Sequence, residues 1–457
     1  MKRKIHEKCA VFGVSLFNTV ATSEATGIVY DGLLATQHRG QESAGIASLQ
    51  GSNILCYKNV GLVSEVFSGN ELKPLAGNPV IGHAQYATAD NRSQRNAQPV
   101  ITEFLTGRTA LAYNGSITNM ETLRKCLIAC GVTLDANDSE VISALIAYYI
   151  KETGDLLAGV SRAAEMIEGA FSMVIIESGG RMIAVRDKNG YRPLCLGTSA
   201  FGMAVASESC ALDSAGFALK QNIRPGEIIV IQDGEITQQT VIGKERTPGG
   251  GLCIFEFVYF ARPDSVIDEL CVYDARFNMG RILAREHPAQ ADVVCGVPDS
   301  GIEAALGYSA GSGLPFVHGF VKNRYIGRSF IYPTQTQREN AVRLKLNPLK
   351  ASLAGKRVVL VDDSIVRGTT CGKIIGELRD AGVAEVHMRI SSPPFIYTCR
   401  YGTDIGDERN LIANRMSIDE IRQSIGADSL GFISRDGLLE SCSGCALPFC
   451  TGCFEEK

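Results

Sequence analysis

The chain has 457 residues, 45% hydrophobic and 21% charged, and its 45 Lys and Arg against 49 Asp and Glu give a formal charge of -4. That length is about three times a common single domain of ~150 residues and predicts two cores. The mild acidity excludes a global basic field for nucleic acid, and no apolar run approaches the ~20 residues that span a bilayer, so neither a nucleic-acid nor a membrane partner is expected.

Met1 to Lys8 are polar and basic. They open like a signal peptide, but the apolar stretch Ala10 to Phe17 is short and lacks a small-residue cleavage site, so no export is predicted. Fifteen cysteines without an export signal then point to reduced thiols in the cytoplasm, some reactive or metal-bound, rather than to a disulfide framework. Removal of residues 1-8 as a propeptide would make Cys9 the first residue. Its own α-amino group, with a pKa near ~8, could then serve as base to its thiol. A buried core cysteine is the plainer alternative.

From about Val80 to Val241 short strands alternate with turns. Examples are Ser172 to Glu177, Arg181 to Asp187, and Ile228 to Gln232, the last followed by the hairpin signal Asp233-Gly234. One helix is predicted from Thr118 or Asn119, with Leu123, Leu127 and Cys130 on one face and Gly131 as its cap. A second begins at Asp138 and carries Val141, Leu145, Ile146 and Tyr149 at helical spacing. Helices on antiparallel sheets predict an α+β layered architecture. Gly243 to Gly251, with Pro248 and a run of glycines, is the best boundary. Beyond it, Arg357 to Val361, Thr370 to Ala381 and Glu385 to Ile390 read as one strand, helix, strand unit of a parallel sheet.

Within that unit Val361-Asp362-Asp363-Ser364-Ile365-Val366-Arg367-Gly368-Thr369-Thr370 runs from a buried strand end through a small-residue loop into a helix. Backbone N–H groups and the Thr369 and Thr370 hydroxyls can hold a phosphate at such a helix start. The paired acids would repel it unless a sugar's hydroxyls or a metal lay over them. A capped helix beside solvated acids is the alternative. The segment resembles the phosphoribosylpyrophosphate (PRPP) signature of type I phosphoribosyltransferases. That resemblance implies that Asp362 and Asp363 meet the ribose hydroxyls and that Ser364, Val366, Arg367, Gly368, Thr369 and Thr370 surround the 5-phosphate. It also implies a Mg2+ ion on Ser300, Asp362 and Asp363, with Ser300 closing the turn Gly296-Val297-Pro298-Asp299-Ser300. Lys322 to Lys345 is rich in basic residues, and Lys322 and Arg328 are expected to contact PRPP from a closing flap. A solvated charged face is the alternative there.

Gln37 to Gly45 (Gln-His-Arg-Gly-Gln-Glu-Ser-Ala-Gly), Gly82-His83-Ala84-Gln85-Tyr86-Ala87-Thr88, Asn114-Gly115 and Asn137-Asp138 follow Cys9 in an order that resembles the class II glutamine amidotransferase domain. Added to the PRPP motif, and to the blocks Asn189 to Pro193, Ala206 to Glu208, Tyr259 to Ser265 and Lys322 to Tyr325, they resemble the amidophosphoribosyltransferase family from about Cys9 to the C-terminus. The resemblance implies an N-terminal nucleophile (Ntn) hydrolase four-layer α+β sandwich over 9-242, then an α/β phosphoribosyltransferase domain with a parallel sheet over 252-440, and a cysteine-rich tail over 441-457. It implies that Cys9 attacks the glutamine amide, that Asn114 and Gly115 hold the oxyanion, and that Gln85, Thr88 and Asp138 bind glutamine. A helix N-cap is the alternative for Asp138. The implied reaction turns PRPP, glutamine and water into 5-phosphoribosylamine, glutamate and pyrophosphate, the first committed step of purine synthesis. Purine nucleotide inhibitors and a homotetramer are implied as well. Two departures stand out: Gln85 where Arg is usual, and Ala10 where Gly is usual. An ammonia-using paralogue with a weakened glutaminase therefore stays open, as does a non-catalytic PRPP-sensing regulator, although no DNA-binding module is recognisable.

The tail carries Cys442, Cys445, Cys450 and Cys453 in two Cys-x-x-Cys pairs, each placing two thiolates on one side of a turn as metal sites do. Resemblance to the iron-sulfur subgroup of the family implies a 4Fe-4S cluster on Cys253, Cys399, Cys450 and Cys453, the last followed by Phe454 as in the family's ligand pair. Cys442 and Cys445 are the fallback. Zinc on the C-terminal pairs, or unliganded thiols, remain open.

Overall fold

Strands buried on both faces build most of the first half. Strands β1 (Ala10–Leu16), β2 (Ser43–Gln50), β3 (Asn53–Val60), β4 (Val80–Gln85), β5 (Val100–Phe104), β6 (Gly107–Ile117), β7 (Gly169–Glu177), β8 (Arg181–Arg186), β9 (Cys195–Ser199), β10 (Gly202–Ala206), β11 (Ala218–Asn222), β12 (Glu227–Gln232) and β13 (Glu235–Val241) form two antiparallel sheets. Their orders are β11-β9-β10-β1-β4-β2-β3 and β13-β12-β8-β7-β6-β5. The structure is a computed structural model and describes residues 9–86, 93–104, 107–134, 137–243, 245–323, 346–403, 405 and 407–454.

Side chains on a strand alternate between faces. Val11, Ala47 and Ile81 of one sheet therefore meet Ala110, Val174, Ala184 and Ile229 of the other in a shared core. Phe12, Val14 and Ala84 point the opposite way, onto Val29 and Leu33 of the helix Thr22–Ala35. Leu111, Ile175 and Ile183 pack on Leu123, Val141, Leu145 and Val160 of the helices Met120–Ala129, Asp138–Thr153 and Leu156–Met166. Helix, sheet, sheet, helix is the four-layer sandwich expected. The Asp233-Gly234 hairpin is present, with φ of 52° and 78° as a tight two-residue turn requires.

Four local expectations change. Cys130 leaves the buried face, because the helix ends at Ala129 and the chain turns at Gly131, and its side chain is exposed. Asn137 rather than Asp138 caps the next helix, its Oδ1 accepting from the Glu140 N–H at 2.8 Å. A third helix, Leu156–Met166, follows directly, capped by Asp155, and the antiparallel region starts at β1 rather than near Val80.

In the second half Val293–Gly296, Arg357–Asp362, Glu385–Ile390 and Ser429–Phe432 form a parallel sheet in that order. The expected unit appears as Arg357–Asp362, the helix Thr369–Asp380 and Glu385–Ile390. Both faces of the sheet are covered, which is why its strands read as apolar runs. Val358 and Leu360 pack on Ile374 and Leu378, while Val359 and Val361 pack on Met279, Ala304 and Tyr308. At the boundary a Cβ on Gly251 would lie 2.2 Å from the Pro448 carbonyl oxygen, and Leu252–Cys253 then pairs in parallel with Phe449–Cys450. The tail is sewn to the junction. No described helix is long and apolar enough to cross a membrane.

The helices Val272–Glu286 and Ile302–Ser312 approach through glycine. A Cβ on Gly280 would stand 1.8 Å from the Ala304 carbonyl oxygen, whereas one on the exposed helical Gly376 meets nothing within 4 Å. Gly280→Ala should lower the unfolding free energy by about 3 kcal/mol, and Gly376→Ala should raise it by ~0.5–1 kcal/mol. Urea denaturation of both variants checks the pair.

Candidate active sites at two sheet edges

The same alternation puts Cys9 on the side of Val11, and Asn114 on the side of Ala110 and Ala112, both toward the space between the sheets. There the Cys9 backbone N–H donates to Asn114 Oδ1 at 3.1 Å. Asn114 is fully buried and Cys9 nearly so. Asn114 Nδ2 has no hydrogen-bond partner among the described residues, an uncommon state for a buried donor. Gly115 next to it tolerates no side chain, because a Cβ would lie 2.0 Å from the Ala170 carbonyl oxygen.

The backbone just before Asn114 is clamped where β5 has ended. Gln98 accepts from the Tyr113 N–H at 2.8 Å and donates to the Tyr113 carbonyl at 3.3 Å, and His83 Nε2 lies 3.1 Å from that same carbonyl. Burial pushes His83 down to about 3, so the ring is neutral. Register fixes the next residue. β1 and β4 pair Ala10 with Ala84, so one step further sets Gln85 opposite Cys9. Gln85 also pairs with Ser43, whose hydroxyl donates to its Oε1 at 2.7 Å. Asp138 opens a helix packed on β5 and β6. Thr88 and Met1 to Lys8 lie outside the described residues.

Arg39 lies within the Gln37 to Gly45 block, and the sequence alone assigns it no role. Its Nε donates to the Cys9 carbonyl at 3.3 Å, and its guanidinium is buried between Glu208 and Glu256. Nothing in the sequence pairs residues so far apart.

At the parallel sheet, Asp362 ends one strand and the turn holding Ser300 follows the strand beside it, both at carboxyl edges. Ser300 Oγ donates to Asp363 Oδ1 at 2.6 Å, the Asp363 N–H donates to Asp362 Oδ1 at 2.9 Å, and the Ser364 hydroxyl bonds Asp363 Oδ2. Both acids are buried. Burial, and then the charge of Asp363, push Asp362 well above the ordinary carboxylate value. Val366 is half-buried, and Arg367, Thr369 and Thr370 are exposed on the rim. The helix start at Gly368, with φ of 77°, has no side-chain cap. It lacks the Asn, Asp or Ser side chain that caps the helices at 138, 156, 418 and 435, as do the helices at 22, 272 and 302. Lys322 is ion-paired with Asp299 of the Ser300 turn. Arg328 and the rest of the expected flap lie outside the described residues.

The cysteines sort into two groups. Desolvation pushes the Cys453 thiol well up, and Cys253, Cys399 and Cys450 add to the shift, so these four half-buried cysteines share one neighbourhood. Cys442 and Cys445 sit elsewhere, Cys445 beside Asp268 and Arg186. Among the described residues, no group of three or more His, Cys, Asp or Glu side chains is gathered tightly enough to hold a metal ion as it stands. Electrostatic reach is longer than a metal–ligand bond, so the two observations agree.

A profile of the glutamine amidotransferase domain matches residues 83–214. Amidophosphoribosyltransferases of Methanocaldococcus jannaschii and Bacillus subtilis are 44% and 42% identical over 446 and 464 residues, covering 95% and 99% of this chain and 94% of each relative. The chain belongs to the amidophosphoribosyltransferase family. Two solved structures match 98% of it: the allosteric regulatory enzyme of purine biosynthesis, 42% identical with a TM-score of 0.89 over 96% of that chain, and glutamine PRPP amidotransferase from Bacillus subtilis complexed with ADP and GMP, 41% identical with a TM-score of 0.88 over 97%. As an amidophosphoribosyltransferase the chain is an enzyme of purine biosynthesis acting on small molecules. Its fold is that family's pairing of an Ntn-hydrolase sandwich with a phosphoribosyltransferase sheet.

The raised Asp362 carboxyl carries a pH signature. An acid with a folded pKa above its unfolded value contributes stability at low pH that is lost as pH rises from ~4 toward the folded value. Asp362→Asn keeps the acceptor for the Asp363 N–H and removes the buried charge. The variant should melt higher than the parent at pH 7 to 8, by a margin that shrinks toward pH 4, in thermal scans without ligand.

Proposed function

We propose that this enzyme releases ammonia from glutamine at Cys9 and uses it to displace pyrophosphate from PRPP beside Asp362 and Asp363. Residues 9-242 would form the glutaminase, 252-440 the transferase and 441-457 a tail that staples them. Removal of residues 1-8 would turn the Cys9 nitrogen that now bonds Asn114 into an α-amine, the base for its own thiol. The thiolate adds to the side-chain amide carbon of glutamine, and Asn114 Nδ2 and the Gly115 N–H receive the developing oxyanion. The C–N bond then breaks, ammonia leaves, and water hydrolyses the thioester to glutamate. Gln85 opposite Cys9 would meet the substrate α-carboxylate with a neutral amide, and Asp138 the α-ammonium, with Thr88 alongside.

Ammonia then attacks C1 of PRPP, a C–N bond forms as the C–O bond to pyrophosphate breaks, and 5-phosphoribosylamine results. A shielded passage is required, since protonation in water would remove the nucleophile. Asp362 and Asp363 accept the ribose hydroxyls, Ser364, Val366, Arg367 and Gly368 to Thr370 take the 5-phosphate, and Lys322 and Arg328 close over the leaving group. The hard oxygen donors of Ser300, Asp362 and Asp363 suit Mg2+, which would offset pyrophosphate charge when bound. The soft sulfur donors of Cys253, Cys399, Cys450 and Cys453, gathered in one neighbourhood, suit a structural 4Fe-4S cluster, and the separate position of Cys442 and Cys445 supports that choice of pair. Purine nucleotides as inhibitors, a homotetramer and a cytoplasmic location complete the proposal.

The observation that carries the reading is the 3.1 Å bond from the Cys9 nitrogen to Asn114, which joins the expected nucleophile and oxyanion residue across two sheets. Pyrophosphate release from PRPP should be seen with glutamine and with ammonium, and the purified chain should lack residues 1-8 by intact mass. Cys9→Ser should lose the glutamine reaction about a thousandfold or more while keeping the ammonium reaction. A parent active on ammonium alone would establish the ammonia-using alternative, for which Gln85 is the favouring observation. In anaerobic preparations Cys453→Ser should lose its iron and Cys442→Ser should keep it.

A further inference from the structure

Arg39 and Arg192 are among the largest fully buried side chains, and one carboxylate stands between them. Glu256, fully buried, accepts from Arg39 Nη2 at 3.0 and 2.8 Å and from Arg192 Nη1 at 3.1 Å. It opens a single π-helical turn, Glu256–Phe260, just after the strand that pairs with the tail. Arg192 in turn donates to the Tyr401 carbonyl at 2.9 Å, and the Tyr191 ring stacks on Tyr401 with centroids 4.1 Å apart. On its other side Arg39 spends Nη1 on Glu208 and Nε on the Cys9 carbonyl.

The N-terminal residue of a processed chain has no preceding peptide to fix it. Its nitrogen would be held by Asn114 and its carbonyl by Arg39, and the two contacts together bear on the direction of the thiol. We propose that Glu256, a residue of the second half, is a positioning residue for the glutamine half-reaction, acting on Cys9 through Arg39. Glu208 alone neutralises one guanidinium, and without Glu256 the second cation beside it drives Arg39 out of line. A displacement near 1 Å at a reacting group is worth on the order of a hundredfold in rate. The inference rests on the reading of Cys9 as nucleophile.

The test compares Glu256→Gln, which keeps shape and loses charge, with Glu256→Asp and the parent, each assayed for PRPP turnover with glutamine and with ammonium. For Glu256→Gln the glutamine kcat should fall about 10- to 100-fold, with KM for glutamine and the ammonium kcat within about twofold of the parent, since Glu256 meets neither substrate. Glu256→Asp, which keeps the charge, should recover part of the loss. A proportionate fall in both reactions, the mark of a merely structural role, overturns the inference, and so does an unchanged glutamine kcat. If Glu256→Gln yields no soluble protein, Arg39→Lys keeps a cation between the carboxylates but removes the Nε donor. It should give the same split, and an equal loss in both reactions overturns the proposal. Cys9→Ser in the parent separates the two failures: if it spares glutamine turnover, the nucleophile reading itself is wrong.

Discussion

A buried guanidinium must find carboxylates close by, and Arg39 finds one in each half of the chain. Burial works against its charge, and Glu256 and Glu208 together more than offset that, holding it above its ordinary value. Arg186 repeats the arrangement, with both Nη atoms on Asp268 at 2.9 and 2.7 Å. Pulling the halves apart would strand these charges, which is far worse than never having buried them. The contact between the halves therefore behaves as part of the core. The Cys9 carbonyl and the Glu256 turn are tied by one guanidinium, and the tail docks beside that turn by strand pairing.

At the other site the local rules lapse. The helix Thr369–Asp380 starts at a left-handed glycine with no side-chain cap, directly after two buried acids. As folding choices both are unfavourable, since the first amides lack partners and Asp362 resists ionisation. Departures of this kind gather where a ligand completes the balance. A bound phosphate would satisfy the amides, and sugar hydroxyls or a cation would satisfy the acids, as the proposed binding of PRPP requires.

How much of this is legible in the sequence depends on the range of the interaction. The strand, helix and strand from Arg357 to Ile390 can be read because periodicity is local, and the Asp362 to Thr370 motif because it is contiguous. The sandwich's opening strands escape: β2 is buried on both faces along nearly its whole length, so no alternation marks it. The cap at Asn137 is one residue from the expected one, a difference that only the backbone dihedrals decide. Glu256 carries no signal at all, because a Glu in an apolar run looks like an irregularity until Arg39 and Arg192 close around it. The two Cys-x-x-Cys pairs are equivalent as spacing. They differ only in what the fold brings to them, Asp268 and Arg186 to Cys445, and Cys253 and Cys399 to Cys453.

Register gives position 85 a meaning that its identity alone lacks. Antiparallel pairing sets residue 85 against residue 9 on one side and Ser43 on the other, so whatever stands there looks onto Cys9. Arg39 is the cation bonded to Cys9, and its charge is already committed to two carboxylates. With a neutral amide at Gln85, a carboxylate-bearing substrate would meet hydrogen bonds at that position in place of a charge-assisted fork. The Ser43 hydroxyl on Oε1 turns the amide so that its N–H groups are the ones left to donate. Selectivity for an amino acid would then lean on its ammonium group, and the proposed receiver, Asp138, follows directly on the Asn137 that caps its helix.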